Sequence, residues 1–212
     1  MAAVVDGTLA FLLWPFVSIL LYVRFWLSLI ICLPWIMYAM AVGKSFSAFI
    51  EFYAILAKVP LGLGKYVYTG FTGFFSPNNT VFSPVIQKFE SGTIVATQIN
   101  YPWHRNPFGS MHAMCLTSMA EYISAVAMMG AFQQMGNVRG IPVTITAKFH
   151  SKCKGTAKAV LSLKPEMIKA GKNEEPDTWE NNVCVFDPSG KLCVEVDVMW
   201  TLSAVEKKRG KK

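Results

Sequence analysis

Asn106 to Tyr122 reads N-P-F-G-S-M-H-A-M-C-L-T-S-M-A-E-Y. A loop turns at Gly109, where a residue without Cβ can turn tightly, and opens into a helical stretch from about Ser110 to Met135. Between Glu90 and Glu166 the chain carries one acid, Glu121, nine residues after His112. A lone carboxylate on an uncharged helical run costs free energy unless it has a partner or a chemical task, so Glu121 is the first candidate for chemistry. The run is nearly long enough to span a bilayer. His112, Glu121, Gly130 and the Gln133-Gln134 pair argue instead for a helix buried by a sheet wrapped around it.

Strand signals lie on both sides of that helix. Before it come Val85 to Phe89, closed by Ser91-Gly92, and Thr93 to Asn100, closed by Pro102; after it come Ile141 to Ser151, Ala157 to Lys164, Trp179 to Phe186 and Leu192 to Leu202. Asp187-Pro188-Ser189-Gly190 is a turn between the last two. In the third strand Val143, Ile145, Ala147 and Phe149 alternate with Thr144, Thr146, Lys148 and His150, which predicts one buried and one wet face. Strands, one long apolar helix and more strands make an α+β domain.

Upstream the composition changes. From Leu9 to Val42 the only charge is Arg24, and Trp14, Tyr22, Trp26, Trp35 and Tyr38 punctuate the run as interfacial aromatics do. As one helix it would be roughly 50 Å long, against a hydrocarbon core of roughly 30 Å. It therefore tilts and overhangs as a single span, or breaks at Pro15, Arg24 or Pro34 into a re-entrant hairpin. Ala39-Met40-Ala41 resembles a signal cleavage site, but no basic residue precedes the run and it is far longer than a signal's apolar core, so the reading is an anchor. Lys44, Lys58 and Lys65 follow it and place the rest of the chain in the cytosol. Ser45 to Lys58 has helical apolar spacing stopped by Pro60, and Gly62 to Gly73 reads as a Gly-aromatic connector on the membrane surface. The tail Lys207-Lys208-Arg209-Gly210-Lys211-Lys212 suits a solvated end or a patch on anionic lipid. The chain of 212 residues has a formal charge of +7 and is 53% hydrophobic, which suits one modest domain plus a membrane-embedded part. Five cysteines without C-x-x-C spacing imply no metal site and no disulfide framework.

The order of these elements, together with R-N-x-x-G-S-x-H-A at Arg105 to Ala113 and a carboxylate nine residues after the His, resembles the hot-dog fold acyl-CoA thioesterases of the phenylacetate-pathway and 4-hydroxybenzoyl-CoA type. Within them it is similar to a thioesterase-like branch with the same loop. The resemblance covers residues 82–203. Taken with the upstream composition, it divides the chain into an anchor over 1–44, which lies outside the resemblance, an amphipathic helix and connector over 45–81, the hot-dog domain and a basic tail over 204–212. It implies an antiparallel sheet around a long central helix, and Glu121 in the place of the catalytic carboxylate. Asn106 falls where relatives bind the thioester or the attacking water, His112 matches the loop His, and the Ala113 N–H takes the place of the amide that polarises the carbonyl. A helix N-terminus suits a developing oxyanion on physical grounds alone, because its N–H groups are unpaired and its dipole end is positive. Nine residues of helix span roughly 13 Å, so one protomer cannot unite the two halves. The resemblance accordingly implies a homodimer, or a dimer of dimers, with sites at the interface.

Each residue has a plainer alternative. Glu121 pairs with Arg105 or Arg139 as a structural ion, His112 caps the helix, and Asn106 is a turn residue. Ser110 as nucleophile lacks the strand-to-helix elbow and an acid to orient the His. Arg139, Lys152 and Lys154 meet the phosphates of coenzyme A or form a solvated strand face. Coenzyme A is part of the substrate, and no separate cofactor or metal is implied. The functional expectation is a membrane-anchored acyl-CoA thioesterase with Glu121 as general base or nucleophile. Its alternatives are a non-catalytic module that binds acyl chains or a membrane partner, and an acyl-thioester dehydratase. Nucleic acid is disfavoured, since no aromatic platform accompanies the basic residues.

Overall fold

The computed structural model describes residues 2–41, 47–76, 81–90, 92–131, 138–163 and 178–204. Helix α1 (Ala2–Ala41) runs unbroken through Pro15, Arg24 and Pro34, and its stretch Leu12–Ile31 is long and apolar enough to cross a membrane. Helix α2 (Ser47–Leu56) is followed by a 3₁₀ turn at Pro60–Gly62 and helix α3 (Leu63–Phe75). The expected Gly-aromatic connector is thus a helix. Gly64 serves packing: a Cβ there would overlap the Leu56 carbonyl, so glycine lets α3 fold back closely on α2, while Gly62 takes φ +67° with open space around it. Aromatic rings seal the joint, with Phe52 edge-on to Phe71 at 4.9 Å, and Tyr53 edge-on to Tyr68 at 5.1 Å and to Phe89 at 5.8 Å.

The domain itself is a six-stranded antiparallel sheet of β1 (Val85–Glu90), β2 (Thr93–Gln98), β3 (Val138–Phe149), β4 (Ala157–Ser162), β5 (Thr178–Phe186) and β6 (Leu192–Ala204), in the order β1-β2-β4-β5-β6-β3. Helix α4 (Ala113–Ala131) enters between β2 and β3 and lies in the concave face, against Ile94, Ala96, Leu161, Val183, Val196 and other inward residues. This is the hot-dog architecture that the sequence resembles. Two hydrogen bonds fix the roll of α4: Trp200 Nε1 donates to Ser124 Oγ at 2.7 Å, and the Tyr122 and Thr72 hydroxyls pair at 3.0 Å, tying α4 to the sheet on one side and to α3 on the other. The β5–β6 hairpin turns as expected. Asp187 Oδ1 accepts from the amides of Ser189 and Lys191 at 2.9 and 3.0 Å, and Gly190 takes φ +83°.

One expectation is corrected within the protomer. The apolar side of β3 is not buried: Val143 is 52% exposed and Ile145 41%, with Ile141 and Phe149 exposed as well. β3 is an edge strand that α4 meets only in part, with Met128 against Gly140 and Ala147 packed on the core; it is paired on one side with β6, and its Pro142 sits at a shift in register where a missing N–H is tolerated. The alternation in sequence was real, but the cover it demands does not come from this chain's described residues. The basic tail over 205–212 lies outside the described residues.

Candidate active site

The loop Arg105–His112 is built around one amide. Asn106 Oδ1 accepts from the amides of Phe108 at 3.0 Å and Ser110 at 3.2 Å and from Ser110 Oγ at 3.2 Å, while its Nδ2 donates to Ser110 Oγ at 2.9 Å. The backbone closes the same turn, Asn106 N to the Ser110 carbonyl and Gly109 N to the Asn106 carbonyl, and Gly109 adopts φ +74°, which favours glycine. Asn106 is therefore the organiser of the loop. Ser110 is buried and absorbed in that network.

His104, which the sequence reading passed over, holds the loop from behind. It is buried, with its ring nitrogens facing the carbonyls of Ile99 at 3.1 Å and Val81 at 3.0 Å, and its own carbonyl accepts from the His112 amide at 2.7 Å. His112 is exposed and caps α4: its Nδ1 accepts from the Met114 amide at 3.2 Å and its carbonyl takes the Cys115 amide at 3.0 Å. Among the described residues the Ala113 N–H makes no hydrogen bond, so the first turn of α4 presents an unspent donor at its positive end.

Glu121 lies two turns further on, about 12 Å along the axis from Ala113. It sits at the centre of the side of α4 that the sheet leaves uncovered, with exposed Met114 and half-buried Thr117, Ser118, Ala125 and Met128. No hydrogen bond or ion pair joins it to a described residue, Arg105 included, and burial alone pushes its carboxyl above the usual value. An isolated, desolvated carboxylate is suited to taking a proton.

The remaining basic candidates are partly assembled. The Met111 amide donates to the Cys153 carbonyl at 2.9 Å, which seats exposed Lys152 and Lys154 beside the loop, and the Lys152 ammonium lies 5.4 Å from the centre of the exposed Phe108 ring. Arg139 is on β3, and its side chain lies outside the described residues. Two further polar groups went unnoticed in the sequence. Gln98 is buried with neither amide atom paired among the described residues, and Asn100 is buried with its carbonyl oxygen likewise unpaired. The signal was there: Ile94, Ala96 and Gln98 alternate, and period two puts Gln98 on the inward face. A cleft of about 450 Å³ lined by Thr144, Glu180, Asn182, Asp197 and Met199 opens on the outer face of the sheet, opposite α4. It contains none of the residues above.

A family model described as a domain of unknown function, DUF4442, matches residues 64–202. No curated protein matches the chain. Among solved structures the chain is similar to a protein of unknown function from Pseudomonas aeruginosa described as a probable thioesterase, with 19% identity, a TM-score of 0.56, and coverage of 69% of this chain and 97% of that one. It is also similar to a glutamine-to-alanine variant of a thioesterase enzyme from Staphylococcus aureus, at 12% identity and TM-score 0.52, covering 60% and 99%. A protein of unknown function from Chlorobaculum tepidum matches at 10% identity and TM-score 0.56, covering 65% and 92%. At these identities the likeness is one of fold.

Proposed function

We propose that this chain, which belongs to the DUF4442 family, is an acyl-CoA thioesterase held at a membrane and active as a homodimer. The observation that carries the reading is Glu121: a half-buried carboxylate with a raised pKa and no partner among the described residues, on the uncovered side of a helix whose own N-terminus offers the Ala113 N–H, itself unbonded among those residues. In the proposed step Glu121 of one protomer takes a proton from water as that water attacks the thioester carbonyl. The Ala113 N–H and the dipole of the other protomer's α4 stabilise the oxyanion, and collapse of the intermediate expels the coenzyme A thiolate, which is then protonated. Lys152 and Lys154, beside the loop, are assigned to the coenzyme's phosphates; Arg139 lies at the start of β3, about 33 Å along the strand from the end that leads to them, so it does not join them within one protomer.

Dimerisation is supported by two uncovered surfaces that need the same partner. The side of α4 around Glu121 has no described cover, and the edge strand β3 shows Ile141, Val143 and Ile145 to solvent. A second copy meeting β3 edge to edge would cover both and bring Glu121 to a partner's Ala113. Membrane attachment is supported by the length and apolarity of Leu12–Ile31, and the lysines that follow it favour a cytosolic domain.

A second reading has its own observation. Asn106 and His112 are both spent on loop and cap, so a module that binds acyl thioesters without cleaving them would need no change in this loop. Incubation of the full-length protein with acyl-CoAs of varied chain length separates the readings: free thiol release supports hydrolysis, enoyl product supports a dehydratase, and saturable binding without product supports the binding module.

A further inference from the structure

We infer that α1 does not cross the bilayer but lies along its surface, with one side docked on the domain and the other sunk among acyl chains, and that the α2–α3 turn is a second lipid contact. The inference rests on the membrane reading above and changes the topology it would ordinarily imply.

The domain touches α1 in the middle of its apolar stretch. Trp14 meets Trp103 edge-on at 5.9 Å, and Arg24 donates from its guanidinium to Ser83 Oγ at 3.1 Å. Both residues fall inside Leu12–Ile31, and they stand about 15 Å apart along the axis. If that stretch crossed a hydrocarbon core of roughly 30 Å, Arg24 would lie near its middle and would draw Ser83 in with it. Trp103 is in a single 3₁₀ turn (Pro102–His104) that leads directly into the loop of exposed Arg105 and the candidate site, and lipid does not tolerate irregular backbone that is not itself covered by protein.

The free side of α1 has the composition that a lipid surface requires. Leu12, Phe16, Ile19, Val23, Leu27 and Ile30 are all exposed and recur every three or four residues, which centres them on one side, and exposed Leu13, Leu20, Tyr22, Trp26 and Ile31 broaden that side to more than half of the helix. Half-buried Ser18 and Arg24 point the polar groups toward the domain. The helix is therefore sided only in the context of the folded chain: its polar side is satisfied by protein and its apolar side is left for lipid.

The α2–α3 turn adds an independent contact. Leu61 is 92% exposed at φ +60°, an arrangement costly in both backbone and solvation, and exposed Leu63 and Tyr66 flank it. Exposed Lys58 is a cation placed to meet anionic headgroups while the leucines enter below it, and half-buried Lys65 on the other side of the tip donates to Gln87 Oε1 at 3.1 Å. α3 packs along α1, so the tip and the free side of α1 belong to one helical assembly.

The test uses the full chain with an epitope at each end, expressed in eukaryotic cells. Sealed microsomes are first washed with alkaline carbonate; protein that washes off defeats the membrane reading itself. Protein that stays is treated with protease outside the vesicles. The surface topology predicts that both epitopes are lost without detergent, whereas an N-terminal epitope protected until detergent is added would show a crossing helix and overturn the inference. In vesicles of phosphatidylcholine and phosphatidylserine, a fluorophore at position 61 should be quenched by brominated acyl chains, and an unquenched signal would remove the second contact.

Discussion

The Met111 amide donates to the Cys153 carbonyl at 2.9 Å, so the loop that starts α4 and the connection between β3 and β4 are tied together at that point. Lys152 and Lys154 are carried to the candidate site by that bond rather than by sequence proximity. Lys152→Ala and Lys154→Ala are each predicted to raise KM for acyl-CoA by about two- to fivefold, the worth of one exposed charge contact, with kcat unchanged. The measurement is steady-state kinetics in low and high salt, and a fall in kcat at constant KM would move these lysines out of coenzyme binding.

Asn106 is expected to act first on the loop. Asn106→Ala removes the acceptor that serves two amides and a hydroxyl, and the predicted loss is about 1–3 kcal/mol of stability. Asn106→Asp keeps that acceptor and should recover most of the melting temperature. Equal destabilisation by both would contradict the assignment.

β3 supplies the test of assembly. Val143→Lys and Ile145→Lys change side chains that are solvent-exposed in the protomer, so the isolated fold should survive them. Light scattering in mild detergent is predicted to show a dimer for the parent and a monomer for the variants, with thioester cleavage lost. An active monomer would end the shared-site account.

Gln98 separates ligand binding from structure. Gln98→Leu removes two unpaired polar atoms from a buried position and should raise the melting temperature if that amide serves only the fold. If it holds a polar group of the substrate, the same variant raises KM. A variant neutral in both measurements would show that the amide is satisfied by water.

Glu121 gives the protein a signature in pH. Burial raises its carboxyl pKa, so the folded chain holds that proton more tightly than the unfolded chain. The resulting stability is fully present below the ordinary glutamate value of about 4.3 and is lost as pH rises through the folded value. Glu121→Gln escapes this loss, so its melting temperature should exceed the parent's at neutral pH and converge with it in acid. Parallel curves would mean the carboxylate is not desolvated.

The sequence made the sheet, the central helix and the site loop legible because each rests on local chemistry: period-two strands, the Asp187 to Gly190 turn, and a lone acid on an apolar helix. It misread Gly62 to Gly73, because glycine spent on helix packing looks the same as glycine spent on a loop until Gly64 is seen against Leu56. It predicted a buried side for β3 that the protomer leaves open, because periodicity demands cover without saying which chain provides it. His104 was missed because the Val81 carbonyl that holds it is far away in sequence and no spacing rule near the motif reveals it, whereas the alternation of Ile94, Ala96 and Gln98 did mark Gln98 as inward-facing.

The most direct measurement is thiol release from acyl-CoA by full-length parent and Glu121→Gln protein under identical conditions. The account predicts that the variant stays folded and dimeric while cleavage falls by about 10²–10⁴-fold, the usual worth of a general base, and that the parent's rate climbs with pH through a midpoint above the ordinary carboxylate range. A Gln variant that cleaves as fast as the parent would contradict the assignment of Glu121, and with it the catalytic reading of this site.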